Sequence, residues 1–155
     1  MNGGTVNGVG DFTATCSGAE DNAGNMGSAS VAYHVHYADV SGFLQPINPD
    51  NSSVFKRGQS VPAKLRIGGD EPYGFDTSAW IIKRISVACD VAAEDGVAES
   101  VASNTPSTTF RYDASADQYI YNADFRSVST GTCWRLRATL DDGSIVNSAV
   151  FKIAK

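Results

Sequence analysis

The chain has 155 residues and a formal net charge of −5. A chain of this length normally forms one domain, or one domain with a small appendage, and buries about 70% of its unfolded surface. The acidic balance and the scattered basic residues argue against a nucleic-acid partner, because phosphate binding needs clustered lysine and arginine. No apolar run approaches the roughly 20 residues of a membrane span.

The N-terminal segment, residues 1–38, is predicted to form a β-hairpin with strands at 12–16 and 29–37 and a turn at 20–25. It begins without the basic start and apolar run of a signal peptide. Met1 is therefore interpreted as a recombinant start, the start of a trimmed fragment, or that of a protein using another export route. Two strands are marginal in water, so we expect the apolar face of Tyr33, Val35 and Tyr37 to be covered by protein.

The remainder, residues 39–155, is predicted to be an all-β domain. Val61, Ala63, Leu65 and Ile67 alternate with polar or proline positions, which is typical of a half-buried strand. Pro62 cannot donate a backbone hydrogen bond, so this strand should lie at a sheet edge or the proline at its start. Further strands are predicted at 53–55, 59–67, 81–89, 108–113, 118–122, 132–140 and 145–153, with 92–103 a loop or a short helix. Short strands at this spacing favour a two-sheet antiparallel sandwich.

The strand containing Pro62, Ala63, Lys64 and Leu65 resembles the Pro-x-Lys-Phe motif of the PxKF family of bacterial extracellular domains, with Leu65 in the place of phenylalanine. Similarity also extends to residues 42–46 and 56–62 and to the Gly-Thr-Cys at 131–133. The resemblance implies an immunoglobulin-like sandwich at a secreted or surface-exposed location, the cell surface or a virion. The N-terminal hairpin likewise resembles the last two strands of the bacterial immunoglobulin-like repeats that often precede such domains.

Three cysteines are present, at positions 16, 89 and 133. The PxKF resemblance implies a disulfide between Cys89 and Cys133, which would stabilise the fold by roughly 4 kcal/mol in the chain-entropy model. The alternative is two free buried thiols in a reducing compartment. Cys16 is then a free buried thiol, or one whose partner lies outside this sequence.

Candidate sites for chemistry are few. His34 and His36 are two residues apart on one strand face, a spacing that metal sites use, but no third ligand is evident and we predict neither a metal nor any other cofactor. The Asp- and Asn-rich turns do not match a calcium loop. No Gly-x-Ser-x-Gly motif occurs, and we predict no catalytic residues. Lys64 and Lys152 should face outward, which disfavours a buried lysine crosslink.

Aromatic residues supply the candidate ligand contacts, namely Tyr73, Phe75 and Trp80, with Tyr73 and Phe75 in a Pro/Gly-rich loop. The sequence favours a non-catalytic structural or adhesive surface module. It would act through contacts of its sheet edges or hairpin with other domains or subunits, and assembly of subunits through the hairpin is a further hypothesis. The alternative is an accessory carbohydrate-binding module of a secreted hydrolase, with a cell-surface glycan as its ligand.

Overall fold

The structure, a computed structural model, describes residues 2–68, 74–90, 95–103 and 108–155. These ranges contain strands and no helix. In chain order the strands are β1 (Asn2–Gly3), β2 (Gly10–Glu20), β3 (Met26–Val35), β4 (Val54–Lys56), β5 (Ser60–Leu65), β6 (Ile81–Val87), β7 (Asp95–Ser100), β8 (Arg111–Asp113), β9 (Gln118–Asp124), β10 (Cys133–Thr139), β11 (Ile145–Asn147) and β12 (Phe151–Ala154).

The main body is an immunoglobulin-like β-sandwich, as the sequence predicts. One sheet has the order β4-β12-β10-β6-β7, with β11 also paired to β10. The second sheet has the order β5-β9-β8. All pairs in both sheets are antiparallel except β12 with β4, which is parallel. The remaining strands, β1-β2-β3, form a separate antiparallel sheet that is the N-terminal hairpin appendage.

Alternation along β5 places its apolar side chains in the core. Val61, Ala63 and Leu65 are fully buried, while Pro62 and Lys64 point to the other face. The strand pairs only with β9 in the described sheet, so Pro62 lies on an edge strand where its missing N–H is tolerated. The opposing sheet contributes Leu136 and other inward side chains of β10, which alternate with outward arginines.

Two predicted segments differ from the structure. Residues 95–100, predicted as a loop or short helix, form strand β7 on the edge of β6, where Glu99 pairs with Arg84 across the ladder. The predicted strand 145–153 is broken into β11 and β12. The break is at Ser148, whose hydroxyl accepts the N–H of Leu136 and donates to the carbonyl of Ala149. Side-chain hydrogen bonds of this kind compete with ladder pairing and are not visible in an apolar pattern.

A disulfide joins Cys89, just after β6, to Cys133, the first residue of β10. This confirms the pairing that the family resemblance implies. Cys133 is buried with Ile85, Val87 and Val150 in a small cluster on the side of β10 away from Trp134. Cys16 is a free thiol and is exposed on the appendage, which corrects the expectation that a free thiol there would be buried.

We therefore predict that thiol labelling of the native, unreduced protein modifies one cysteine, Cys16, at the rate of an exposed thiol. Labelling after unfolding without reductant should still modify only Cys16, because Cys89 and Cys133 remain covalently joined. Mass spectrometry of the labelled protein gives the count. Three modified cysteines under these conditions would contradict the disulfide.

The strand pairing of the hairpin extends further toward its turn than predicted, and the hairpin is mostly exposed. We name residues 10–35, comprising β2, β3 and their turn, the arm. The two strands pair from Gly10 with Val35 out to Glu20 with Met26, with a bulge between Ser17 and Ala19. Gly18 has a φ of +86° at that bulge, a conformation that glycine adopts without strain.

The expectation that protein covers the apolar face of the hairpin holds only at the base of the arm. Tyr37, just beyond the arm, is buried, Val35 is half-buried against the core, and Tyr33 is 40% exposed. Tyr33 stacks on Phe12 within the arm, with ring centroids 5.6 Å apart. The outer part of the arm therefore projects from the sandwich into solvent.

Candidate functional site

A cluster of hydrogen-bonded polar side chains lies where the arm meets the sandwich. We name it the joint, and define it by Asn7, Tyr37, Trp80, Asp141 and Asp142. The joint is built around the tight turn that follows β10. In this turn the N–H of Leu140 donates to the carbonyl of Ser144, and the N–H of Gly143 donates to the carbonyl of Leu140. The sequence Asp141-Asp142-Gly143 is a hairpin signal, and this part of the prediction is confirmed.

Asp142 is a buried carboxylate that receives several hydrogen bonds. Its Oδ2 accepts the backbone N–H of Tyr37 at 2.9 Å and the hydroxyl of Ser144 at 2.7 Å, and its Oδ1 accepts the N–H of Ser144 at 2.8 Å. Burial would raise the pKa of Asp142, but these hydrogen bonds outweigh it and the pKa lies below the ordinary value. Asp142 is therefore an ionised group that holds the backbone of Tyr37, just after the arm, against the turn that follows β10.

Asp141 ties three different segments together. Its Oδ1 accepts the hydroxyl of Tyr37 at 2.6 Å and the indole N–H of Trp80 at 2.8 Å, and its Oδ2 accepts the amide of Asn7 at 3.0 Å. Burial raises the pKa of Asp141, and the hydrogen bonds lower it to a net value below the ordinary one. Burial together with the carboxylate of Asp141 raises the pKa of the Tyr37 phenol. The joint is therefore a network that stays ionised at Asp141 and neutral at Tyr37.

The two histidines lie side by side at the base of β3, with ring centroids 4.1 Å apart, which confirms that they share a face. Nδ1 of His34 is 2.7 Å from Oδ1 of Asp11 on β2, and its Nε2 is 2.8 Å from the carbonyl oxygen of Asp142. Two acceptors facing the two ring nitrogens favour the doubly protonated imidazolium. Nδ1 of His36 is 3.7 Å from Oδ2 of Asp142.

These contacts give a pH dependence of known sign. The hydrogen bond to Asp11, followed by the one to the Asp142 carbonyl, raises the pKa of His34 above 6.5. A group whose pKa is higher in the folded state contributes stability below its unfolded pKa and loses it as pH rises through the folded pKa. We predict that an NMR titration finds His34 titrating above the free-histidine value, and that Asp11→Asn moves it down.

The matched control is Asp21→Asn, which removes a carboxylate of the same hairpin at the far turn, where Asp21 bonds only to residues of that turn. This variant should leave the His34 titration unchanged, and His34→Gln identifies the resonance. If Asp11→Asn left the pKa of His34 unchanged, Asp11 would not be the cause of the raised pKa.

Beside the joint is an open cleft of about 490 Å³ whose lining includes Thr5, Asp11, His34 and Asp142. Asp11 is the most exposed of its charged groups, with 95% of its side chain accessible. Within the described ranges, no group of three or more His, Cys, Asp or Glu side chains is placed to hold a metal ion. The acidic groups of the cleft engage protein donors, Asp11 with His34 and Asp142 with Tyr37 and Ser144.

The candidate aromatic contacts do not form a platform. Trp80 is 7% exposed and packs with Phe110 and Tyr119 in the core, so the expectation of a surface contact through Trp80 is wrong. Its indole N–H needs an acceptor when buried, and Asp141 supplies one. Phe75 is half-buried against Tyr37, with ring centroids 4.8 Å apart. Tyr73 lies outside the described residues.

The residues that resemble the Pro-x-Lys-Phe motif are not part of the joint. Pro62, Lys64 and Leu65 are on β5, in the sheet opposite β10, with Leu65 fully buried and Lys64 half-buried on the outer side. Lys152 is exposed, so neither lysine lies inside the core as a crosslink would require.

The sequence reasoning missed Asn7 and the network around Asp141. Asn7 donates to Tyr37, to Asp141 and to the carbonyl of Asp76, and its Oδ1 accepts the N–H of Asp76. An asparagine followed by a glycine, as at Asn7-Gly8, is typical of a turn, so no local pattern distinguishes its role in the joint from that of an ordinary turn residue. The only available signal was the acidic pair next to a hairpin glycine.

Fold and joint together define the class as an all-β, disulfide-bonded, immunoglobulin-like sandwich with a projecting N-terminal arm. No protein-family model matches the chain, and no curated protein matches it. In the part of the chain that the structure covers, no helix is long and apolar enough to cross a membrane.

Proposed function

We propose that the protein is a non-catalytic structural or adhesive module of a secreted or surface-exposed assembly, either at a cell surface or on a virion. The proposed domains are the hairpin segment, residues 1–38, and a PxKF-like immunoglobulin-like domain, residues 39–155. The observation that carries the proposal is the combination of a disulfide-bonded sandwich with an arm that projects into solvent.

The disulfide supports the proposed location. Disulfides persist in oxidising compartments and on virion or cell surfaces, and are rare where thioredoxin and glutathione keep thiols reduced. Of its two residues, Cys133 is buried within the fold and Cys89 is exposed.

The arm supports the proposed mode of action. An exposed strand pair adds little to the stability of the sandwich, yet ordering its residues costs conformational entropy. Contacts with other domains or subunits are what such an element can provide. The joint supports the same interpretation, because Asp141 and Asp142 fix the base of the arm to the sandwich and so set its direction.

The test uses a panel of soluble polysaccharides, including cellulose, chitin and starch derivatives. Retardation in affinity electrophoresis measures binding, and release of reducing ends measures hydrolysis. The proposed function predicts neither retardation nor release. Retardation without release, abolished by Phe75→Ala, would favour the carbohydrate-binding alternative over a structural module. Release of reducing ends that co-purifies with the protein would overturn the assignment as non-catalytic.

A further inference from the structure

The outer edge of the arm is a long strand without the features that protect sheet edges. β3 is ten residues long and is the end strand of its sheet in the described structure. From residue 26 to residue 33 it has no charged side chain and no proline. Such an edge is a template for pairing with another strand, and natural proteins normally interrupt it with charge, proline, a bulge or short length.

The other edges of the molecule carry these protective features. β4, β8 and β11 are each three residues long, and β4 and β8 also contain Lys56 and Arg111 respectively. β5 has Pro62 within it, and Glu99 of β7 is paired with Arg84. β2 has a bulge at Gly18, and β1 pairs with its outer edge at Phe12 and Thr13. The edge of β3 is therefore the exception among the described strands.

The occupant that best fits the uncharged edge of β3 is a second copy of this chain. The molecule has a net charge of −5, so copies repel one another over most approaches. Contact through the middle of β3 brings no charged side chains together. The complementary strand must itself be long, uncharged and available at an edge, and β3 of a second copy meets each condition.

Geometry allows β3 to pair with its own copy. Two identical antiparallel strands in one sheet are related by a two-fold axis perpendicular to the sheet, which passes midway between one residue and the same residue of the other copy. The same face of both copies therefore points to the same side of the sheet. Centring on Val31 would place Ala29 opposite Tyr33 of the other copy. The apolar stripe that contains Val31 and its cross-strand neighbour Ala14 would then continue from one arm into the next.

We propose that two copies of this chain associate by antiparallel pairing of their β3 strands over residues 29–33, centred on Val31, which joins the two arms into one continuous sheet. Val31, 61% exposed in the single chain, lies near the centre of this interface, and Ala14 lies one strand away from it. The inference does not rest on the proposed function, since a monomeric protein could still be a structural module.

The first test is sedimentation velocity of the intact chain at concentrations from about 1 to 200 μM, followed by two variants. Val31→Lys places like charges close together across the two-fold and should weaken the dimer at least about tenfold. Ala14→Lys is the matched control, because it puts the same charge on the same face of the arm but on β2, and should change dissociation much less. Circular dichroism melting confirms that both variants remain folded.

The second test is disulfide trapping in a Cys16→Ser background. Val31→Cys should give a covalent dimer under mild oxidation, whereas Ala14→Cys should not, because two intervening β3 strands keep its copies about 14 Å apart at ~4.8 Å per strand spacing. Two outcomes overturn the proposal: a monomer over the whole concentration range, or equal weakening by both lysine variants together with efficient trapping at Ala14→Cys. The latter would show arms packed face to face.

Discussion

Replacing both Cys89 and Cys133 by alanine is expected to lower the free energy of unfolding by about 4 kcal/mol. The two residues are 44 positions apart, and a crosslink over that length removes much of the entropy of the unfolded chain. For a chain of this size the melting temperature should fall by about 8–16 °C, at roughly 2–4 °C for each kcal/mol. Thermal melting followed by circular dichroism measures the change.

The control is Cys16→Ser, which alters the exposed thiol of the arm and should change stability by less than about 0.5 kcal/mol. Adding a reductant to the intact protein should reproduce most of the effect of the double variant. A double variant that melts within about 2 °C of the intact protein would mean that the disulfide does not restrain the unfolded chain as the entropy model requires.

Asp141→Ala is expected to lower the free energy of unfolding by about 3 kcal/mol, because three donors lose a charged acceptor and the indole of Trp80 is left buried without one. The melting temperature should fall by about 6–12 °C near neutral pH. Since the pKa of Asp141 is lowered in the folded protein, its contribution is present above the unfolded pKa and disappears as pH falls through the folded value. The difference in stability between the variant and the intact protein should therefore narrow as the pH falls below 3.8, the ordinary aspartate pKa.

Asp21→Ala is the matched control for Asp141→Ala. Asp21 also lies in a turn and accepts three hydrogen bonds, from the N–H groups of Ala23 and Asn25 and from the Asn25 amide. Those donors are exposed and can turn to water, so the melting temperature should stay within about 2 °C. Equal losses from the two variants would contradict the special role given to the joint.

Local patterns were sufficient for most of the sandwich. The alternation at Val61, Ala63 and Leu65 identifies a half-buried strand because side chains point to opposite faces with a period of two. The disulfide did not follow from any local pattern, because spacing alone cannot pair three cysteines. It was available only through the family resemblance, and the structure confirms it.

The joint could not be predicted because its members are distant in sequence. Asn7, Tyr37, Trp80 and Asp141 meet only when the segments on either side of the arm pack on the turn beyond β10. The burial of Trp80 was mispredicted for the same reason, since the acceptor that allows its indole inside the core is 61 residues away. A tryptophan followed by apolar residues fits a core strand and a surface platform equally well until that acceptor is known.

The length of the arm was underestimated for a different reason. Residues 17–20 and 26–28 are mostly small or polar, which is typical of loops, yet they continue the ladder through the bulge at Gly18. Serine and glycine have low strand propensity, and cross-strand pairing outweighs that preference here. Ser30 gives an example, since its hydroxyl is 2.8 Å from that of Thr15 on the facing strand.

The most direct test of the account is to shorten the arm, replacing residues 14–31 by a short glycine-containing turn and leaving the joint intact. We expect the sandwich of the shortened protein to melt within about 3 °C of the full chain, because the removed residues are largely exposed, and we expect the shortened protein to no longer associate. Deleting residues 1–38 should instead cause marked destabilisation, because it removes buried Tyr37 and its bonds to Asp141 and Asp142. Unfolding of the arm-shortened protein would contradict the account, since the arm would then be part of the core rather than a projecting contact element.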